Sequence, residues 1–210
     1  MEWSDIPWQM NVILAALLVV GVWLILRAGK TGESGKSGQL VRHFKEIGVT
    51  TFSVEEDIEE KKIGLDRNTG QKSEGIIRIA GRNIDFVNII SVSGQFGVDY
   101  FIDYLVRSPG RMGKADRKRT RLEQKRSSLI GGKLVGVEWK GDLYLSEVLN
   151  LDYQLKDRLL RAELDELKED ISIFPEPRHE YARIRTKYIL PSSDLFEAMD
   201  RIARHVRLEW

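Results

Sequence analysis

The chain has 210 residues, with 33 Lys+Arg against 32 Asp+Glu and a formal net charge of +1, so global charge selects no partner and any electrostatic signal must be local. Cysteine is absent, which excludes disulfides, thiolate nucleophiles and Cys-held zinc or iron–sulfur sites, and favours a reducing compartment. Three histidines, His43, His179 and His205, are too few for a His-rich metal site.

In chain order, residues 1–7 form a short extracytoplasmic N-terminus, and Trp8–Leu26 follows as WQMNVILAALLVVGVWLIL, nineteen residues without an ionisable group. At ~1.5 Å rise per residue such a helix matches the hydrocarbon core of a bilayer. Its aliphatic side chains, at ~0.3–0.6 kcal/mol each, outweigh Gln9 and Asn11. A cleaved signal peptide would need a basic start and a shorter apolar run, whereas this one carries Glu2 and Asp5 in front. Residues 8–27 therefore read as an uncleaved transmembrane helix, with Trp3, Trp8 and Trp23 at the interfaces. Arg27, Lys30, Lys36 and Arg42 follow the span and no Lys or Arg precedes it. The positive-inside rule then puts the amino terminus outside and the body in the cytoplasm, at the inner membrane face.

Residues 28–38 (AGKTGESGKSG) read as a flexible Gly/Ser/Lys tether. Gly35-Lys36-Ser37 imitates the end of a phosphate-binding loop, but the glycine needed five residues earlier is Lys30, and no strand precedes it. From residue 39 to 210 the pattern is that of one α+β domain. Leu40, Val41, Phe44 and Ile47 share a helical face that stops at Gly48, with Ser37 as cap and His43 at the edge of the stripe. Val49–Val54 alternates as a weak strand, and Glu55–Lys62 is a charge run suited to a turn or short helix. Asp66–Gly70 reads as a turn between strands at Lys62–Asp66 and Gly75–Ala80.

Ile84–Ser93 and Val98–Arg107 carry the clearest strand pattern and predict an antiparallel hairpin at the centre of a sheet. Pairing even-numbered residues with even-numbered ones makes one nearly continuous apolar face, a one-residue slip being the alternative, and Val87, Ile89, Phe101 and Leu105 on the opposite face imply that it too is partly covered. Asp99 and Asp103 then lie on the opposite face, ~13–14 Å apart and too far to share a proton, as solvated acids. Residues 108–128 break the pattern as a basic loop. With Arg107 this segment holds Arg111, Lys114, Arg117, Lys118, Arg119, Arg121, Lys125 and Arg126 against Asp116 and Glu123. It reads either as a solvated connection or as a contact for anionic lipid headgroups. Nucleic acid fits less well, because no aromatic residue is interleaved for stacking.

Lys133–Trp139 and Asp142–Val148 read as a second hairpin about Lys140-Gly141. Asn150–Asp170 reads as one long helix with two apolar stripes, Leu151, Leu155, Leu159 and Ala162 on one side and Tyr153, Leu160, Leu164 and Leu167 on the other. The second stripe is expected to meet another element of the domain or a partner protein. Ile171–Phe174 and Glu180–Leu190 read as strands parted by Pro175-Glu176-Pro177, with Arg183, Arg185 and Lys187 on an outer face. Asp194, with Glu197, is expected to cap a last helix whose stripe is Leu195, Phe196, Met199, Ile202, Ala203 and Val206.

No nucleophile elbow, dinucleotide-binding turn or zinc-protease motif occurs. His179-Glu180 lacks the second histidine, Arg183 standing in its place. The sequence thus predicts a transmembrane helix followed by a cytoplasmic α+β domain, its mostly antiparallel sheet packed by about three helices. It implies no catalytic residue, cofactor, metal or small-molecule substrate. The expected role is a non-catalytic accessory or scaffold subunit with membrane lipid and a protein partner or self-association. An electrostatic binding module built on residues 107–126 is the alternative, and a tethered enzyme with an unfamiliar site is a third class.

Overall fold

The computed structural model describes residues 35–54, 58–65, 70–108, 117–127, 134–162, 164 and 171–209. The Trp8–Leu26 stretch with Trp8, Trp23 and Arg27, residues 28–34, and Arg111, Lys114 and Leu167 all lie outside them. Among the described residues no helix is long and apolar enough to cross a membrane.

Helix α1 (Lys36–Glu46) begins inside what the sequence suggested was tether. Strands β1 (Thr51–Ser53), β2 (Gln71–Ile79), β3 (Phe86–Gly94), β4 (Gly97–Arg107), β5 (Thr120–Arg126) and β6 (Leu134–Lys140) follow. Helices α2 (Leu143–Leu151) and α3 (Tyr153–Arg161) come next, then β7 (Ser172–Glu176), β8 (Tyr181–Lys187) and α4 (Ser193–Glu209). The eight strands make one sheet in the order β1-β2-β3-β4-β8-β7-β5-β6, and every neighbouring pair is antiparallel. The fold is α+β, with four α-helices where about three were expected.

The helices cover one sheet face. Leu40 and Phe44 of α1, Leu145 and Leu149 of α2, Leu155 and Leu159 of α3, and the whole predicted stripe of α4 are buried in one core with Val87, Ile89, Ile102, Tyr104, Val106 and Ile184. Phe44 meets Phe196 edge-on at 5.3 Å between ring centroids, joining α1 to α4. Asp200 of α4 accepts hydrogen bonds from the Asn83 and Ile84 backbone N–H groups and from the Asn83 amide, which fixes the helix on the β2–β3 connection.

The central hairpin forms as expected, but in a register one residue away. Phe86 pairs with Leu105 and Ile89 with Ile102, odd with even, because Gln95-Phe96 makes a two-residue turn between Gly94 and Gly97. The core face therefore takes Val87 and Ile89 with Ile102 and Tyr104. Phe86, Asn88 and Ile90 go to the other face with Phe101, Asp103 and Leu105. That second face is covered too. Ile63, Ile76, Leu105 and Tyr181 form a smaller cluster beneath residues 58–65, which hold a single 3-10 turn at Glu59–Lys62 instead of the expected strand at Lys62–Asp66.

Five further expectations are corrected. The basic loop contains strand β5, which pairs with β6 and, for two residues, with β7. Asp142–Val148 is not a strand, because the Asp142 carboxylate accepts from the Leu145 N–H and starts α2. The single long helix is two, broken at Asp152, whose backbone is extended and whose carboxylate caps α3 at the Leu155 N–H. Ser192, not Asp194, caps α4, while Asp194 pairs with Arg158 and Arg161, and Glu197 with Arg82. Pro175 does not break the chain but sits in β7 opposite Ala182, on the stretch where β5 is no longer paired and no N–H is needed.

The β6–α2 corner has little room. Gly141 has φ 134°, and a Cβ on it would lie 2.1 Å from the Arg119 carbonyl oxygen. Beside it Asn150 reaches back from α2, its amide accepting from the Trp139 N–H and donating to the Trp139 carbonyl. Gly141→Ala is expected to destabilise the chain by about 1–3 kcal/mol, read as a lower urea midpoint of the far-ultraviolet circular dichroism transition.

Candidate functional site

Three places in the fold bring chemistry-bearing or unpartnered side chains together. The first is on the sheet face away from the helices. Asp103 is fully buried, not solvated as the sequence suggested, and accepts two 2.7 Å hydrogen bonds from the Arg185 guanidinium. Arg183, also buried, reaches the same carboxylate at 3.4 Å and donates to Glu176 at 3.0 Å. The predicted basic outer face of β8 is thus largely internal. Phe174 lies beneath two guanidiniums, Arg183 at 4.5 Å and Arg119 at 4.7 Å from the ring centroid. Residues 58–65 cross above, and only a glycine fits at Gly64 (φ 71°), where a Cβ would come within 2.2 Å of the Arg183 Nε. Beside this stack Lys62, Gly64, Leu65, Glu176, Pro177, Arg178 and His179 line a cleft of about 330 Å³. Asp99 is 67% exposed and pairs with Lys187 at 3.4 Å.

The second is the junction of α2, α3 and α4. Asp152 accepts from the Arg201 Nε and meets the His205 Nε2 at 2.7 Å, while its other oxygen caps α3. Burial pushes the carboxyl up, but the hydrogen bonds from Arg201, His205 and the Leu155 N–H outweigh it and leave the group at about 2. A carboxylate saturated by three donors is a poor base. Its chemistry is to lock the bend between α2 and α3 onto α4. Val148, Leu151, Tyr153 and Gln154 surround it in an open depression of about 500 Å³. Among the described residues no group of three or more His, Cys, Asp or Glu could hold a metal ion.

The apolar side chains around that depression are exposed. At 100° per residue Leu143, Tyr144 and Leu151 share one side of α2, opposite Leu145 and Leu149, and their exposures are 84%, 45% and 64%. On α3, Tyr153 (78%) and Leu160 (41%) project away from the buried Leu155 and Leu159. The segment has a buried and an exposed apolar side, but they are not the expected stripes, since Leu151, expected beside Leu155, Leu159 and Ala162, is exposed with Tyr153. Leu164 is buried in the core and cannot belong to an outward stripe. Leu143 and Tyr144 escaped the sequence reading because a strand assignment there hid their helical spacing.

The third is the basic segment. Of the side chains it assembles, Arg119 donates to Ser172 and Arg117 to Ser108. Arg107 donates to the Tyr181 hydroxyl. Arg121 pairs with Glu123, Lys125 with Glu138 and Arg126 bonds Gln124, all along the β5–β6 ladder. Lys118 is exposed and its N–H donates to Asp142. What looked like a free cationic cluster is spread over a strand and partly answered by Glu123 and Glu138.

Comparison with protein-family models, with curated proteins and with solved structures finds no match to this chain.

Two outcomes are expected. Asp103→Ala leaves the half-buried Arg185 guanidinium without its counter-charge and the buried Arg183 with Glu176 alone, and should cost about 3–5 kcal/mol in urea denaturation. Asp152 has its folded value depressed, so its contribution is complete above the unfolded carboxyl value near 4 and is lost as pH falls towards 2. Asp152→Asn keeps the helix cap but removes the charge. It should lower stability at pH 6 by on the order of 1–2 kcal/mol and flatten the acid limb of the stability profile between pH 4 and 2.

Proposed function

We propose that this chain is a single-pass membrane-anchored accessory subunit without catalytic activity of its own. In this reading Trp8–Leu26 holds it in the inner membrane with the amino terminus outside, and the α+β domain stands in the cytoplasm. There it offers the apolar sides of α2 and α3 to a protein partner. The observation that carries the docking role is the set Leu143, Tyr144, Leu151, Tyr153 and Leu160, five large apolar side chains left outside the core on two consecutive helices. Clustered apolar exposure of this kind marks interaction surfaces on soluble domains. Aromatic anchors such as Tyr144 and Tyr153 supply most energy in protein interfaces.

The bend at Asp152 supports the same reading, since a preorganised surface binds with less ordering cost than a mobile one. The electrostatic alternative, residues 107–126 against anionic lipid or nucleic acid, ranks second because the β5 charges already have partners within the fold. The enzyme reading ranks third. It would have to use the cleft by His179, where Glu176 is engaged with Arg183.

The test is extraction of the full-length chain from its native membranes in mild detergent, followed by crosslinking and sizing. A particle larger than the monomer is expected, reduced to monomer by the combined change Leu151→Glu and Tyr153→Glu with the thermal midpoint held. A strictly monomeric wild-type particle with no crosslinked partner overturns the proposal.

A further inference from the structure

The two ends of the sheet differ sharply in chemistry. At one end the β3–β4 turn, Ser93-Gly94-Gln95-Phe96-Gly97-Val98, carries no ionisable side chain, and Phe96 is 98% and Val98 50% exposed. At the other end the β7–β8 turn is Pro177-Arg178-His179-Glu180, polar throughout after its proline. Because β4 runs the whole way from Gly97 to Arg107, these ends are separated by about 33 Å at strand rise. A two-residue hairpin turn is served by Asn, Asp or Gly, and a phenylalanine in one contributes nothing to the turn itself.

The described chain enters the domain at the end that carries the β3–β4 turn. Lys36, at the start of α1, lies with its ammonium 4.4 Å from the Tyr100 ring centroid and 4.3 Å from that of Tyr188, and its carbonyl accepts from the Tyr188 hydroxyl. Tyr100 is four residues, about 13 Å, along β4 from Phe96. From there α1 runs away from the turn, Phe44 reaching Phe196 in the core. Gly35 is only nine positions beyond Leu26, a distance that a chain cannot stretch past about 32 Å. By register β5 runs from its pairing with Ser172 towards the same end, bringing Lys125 and Arg126 to it.

We propose that Phe96 and the β3–β4 turn rest in the interfacial layer of the bilayer that holds Trp8–Leu26, so that the sheet stands upright on the membrane with its β7–β8 turn outermost. This rests on the anchor reading given above and deepens it, adding lipid as the occupant of a second, peripheral contact. The argument for lipid over another occupant is positional. The turn lies at the end where the chain arrives from the anchor, within reach of the membrane surface, and presents an aromatic tip without charge.

The absence of cysteine allows single-site labelling of the full-length chain. An environment-sensitive fluorophore is placed at Gln95→Cys, at Arg178→Cys or at Val20→Cys, in vesicles of phosphatidylcholine with phosphatidylglycerol. At position 95 the emission should shift to the blue, be quenched by lipid spin-labelled near the headgroup, and lose at least half of that quenching when Phe96→Ser is added. At 178 the label should be open to iodide and blind to the lipid quencher. A label at 95 as open to iodide as that at 178, with the label at 20 protected, overturns the placement of the turn alone. A label at 20 open to iodide overturns the anchor, and the placement with it. Protection at 95 that grows with protein-to-lipid ratio and ignores spin-labelled lipid gives the turn to a second copy and overturns the lipid contact.

Discussion

A fully buried carboxylate in the middle of a sheet cannot be left to itself, and Asp103 sets terms that the surrounding chain has to meet. Its neutralisation needs Arg185 directly opposite on β8, which ties the register of β4 to that of β8. Arg183 adds a second cation, and that cation in turn needs Glu176 and the face of Phe174 from β7. Water is kept off by residues 58–65, and the crossing is close enough that position 64 has no space for a side chain. One charge therefore holds together strands β4, β8 and β7 and the irregular segment above them.

The opposite face works by a different rule. There the helices need only apolar stripes of the right spacing, and α4 supplies the broadest, from Leu195 to Val206. Polar contacts act at the margins of this core rather than within it. Asp200 grips the Asn83 corner, Arg207 reaches Asp85 and the Asn83 carbonyl, and Asp152 collects Arg201 and His205. The domain is thus oily on one side of its sheet and ionic on the other. The two sides answer to single substitutions differently, since an apolar core tolerates a volume-conserving change whereas removing one member of a buried ion cluster strands the charge it answered.

Much of this was legible where one face of an element is wet or where a stripe is unbroken. The central hairpin, the existence of β7 and β8 though not their pairing, α1 and α4 were all visible in the spacing of apolar residues. The misreadings share a cause. Asp103, Arg183 and Arg185 look like solvated residues because alternation of charge with apolar side chains is the signature of an outer face; Phe101 and Leu105 between them imply partial cover, but nothing local tells which distant segment supplies it. Asp142 and Asp152 are helix-capping residues, but each follows or interrupts a run whose apolar content fits another element equally well. The hairpin register turned on whether Gln95-Phe96 or a longer stretch made the turn, a difference of one residue that periodicity alone does not resolve. The candidate docking side chains were half visible: Tyr153 and Leu160 from their spacing, Leu143 and Tyr144 not at all.

The Asn150 side chain bears on how such a sheet ends. Strand β6 is its outermost member, and an outermost strand ordinarily offers bare peptide groups to any passing strand. At Trp139 that offer is already taken, because a carboxamide imitates the missing neighbour and fills both the donor and the acceptor. The other margin, β1, is three residues long and gives little to template on. Ribbon-like growth of one molecule onto the next is thereby discouraged at both flanks, so that copies of this chain can be packed at high local concentration without their sheets joining edge to edge.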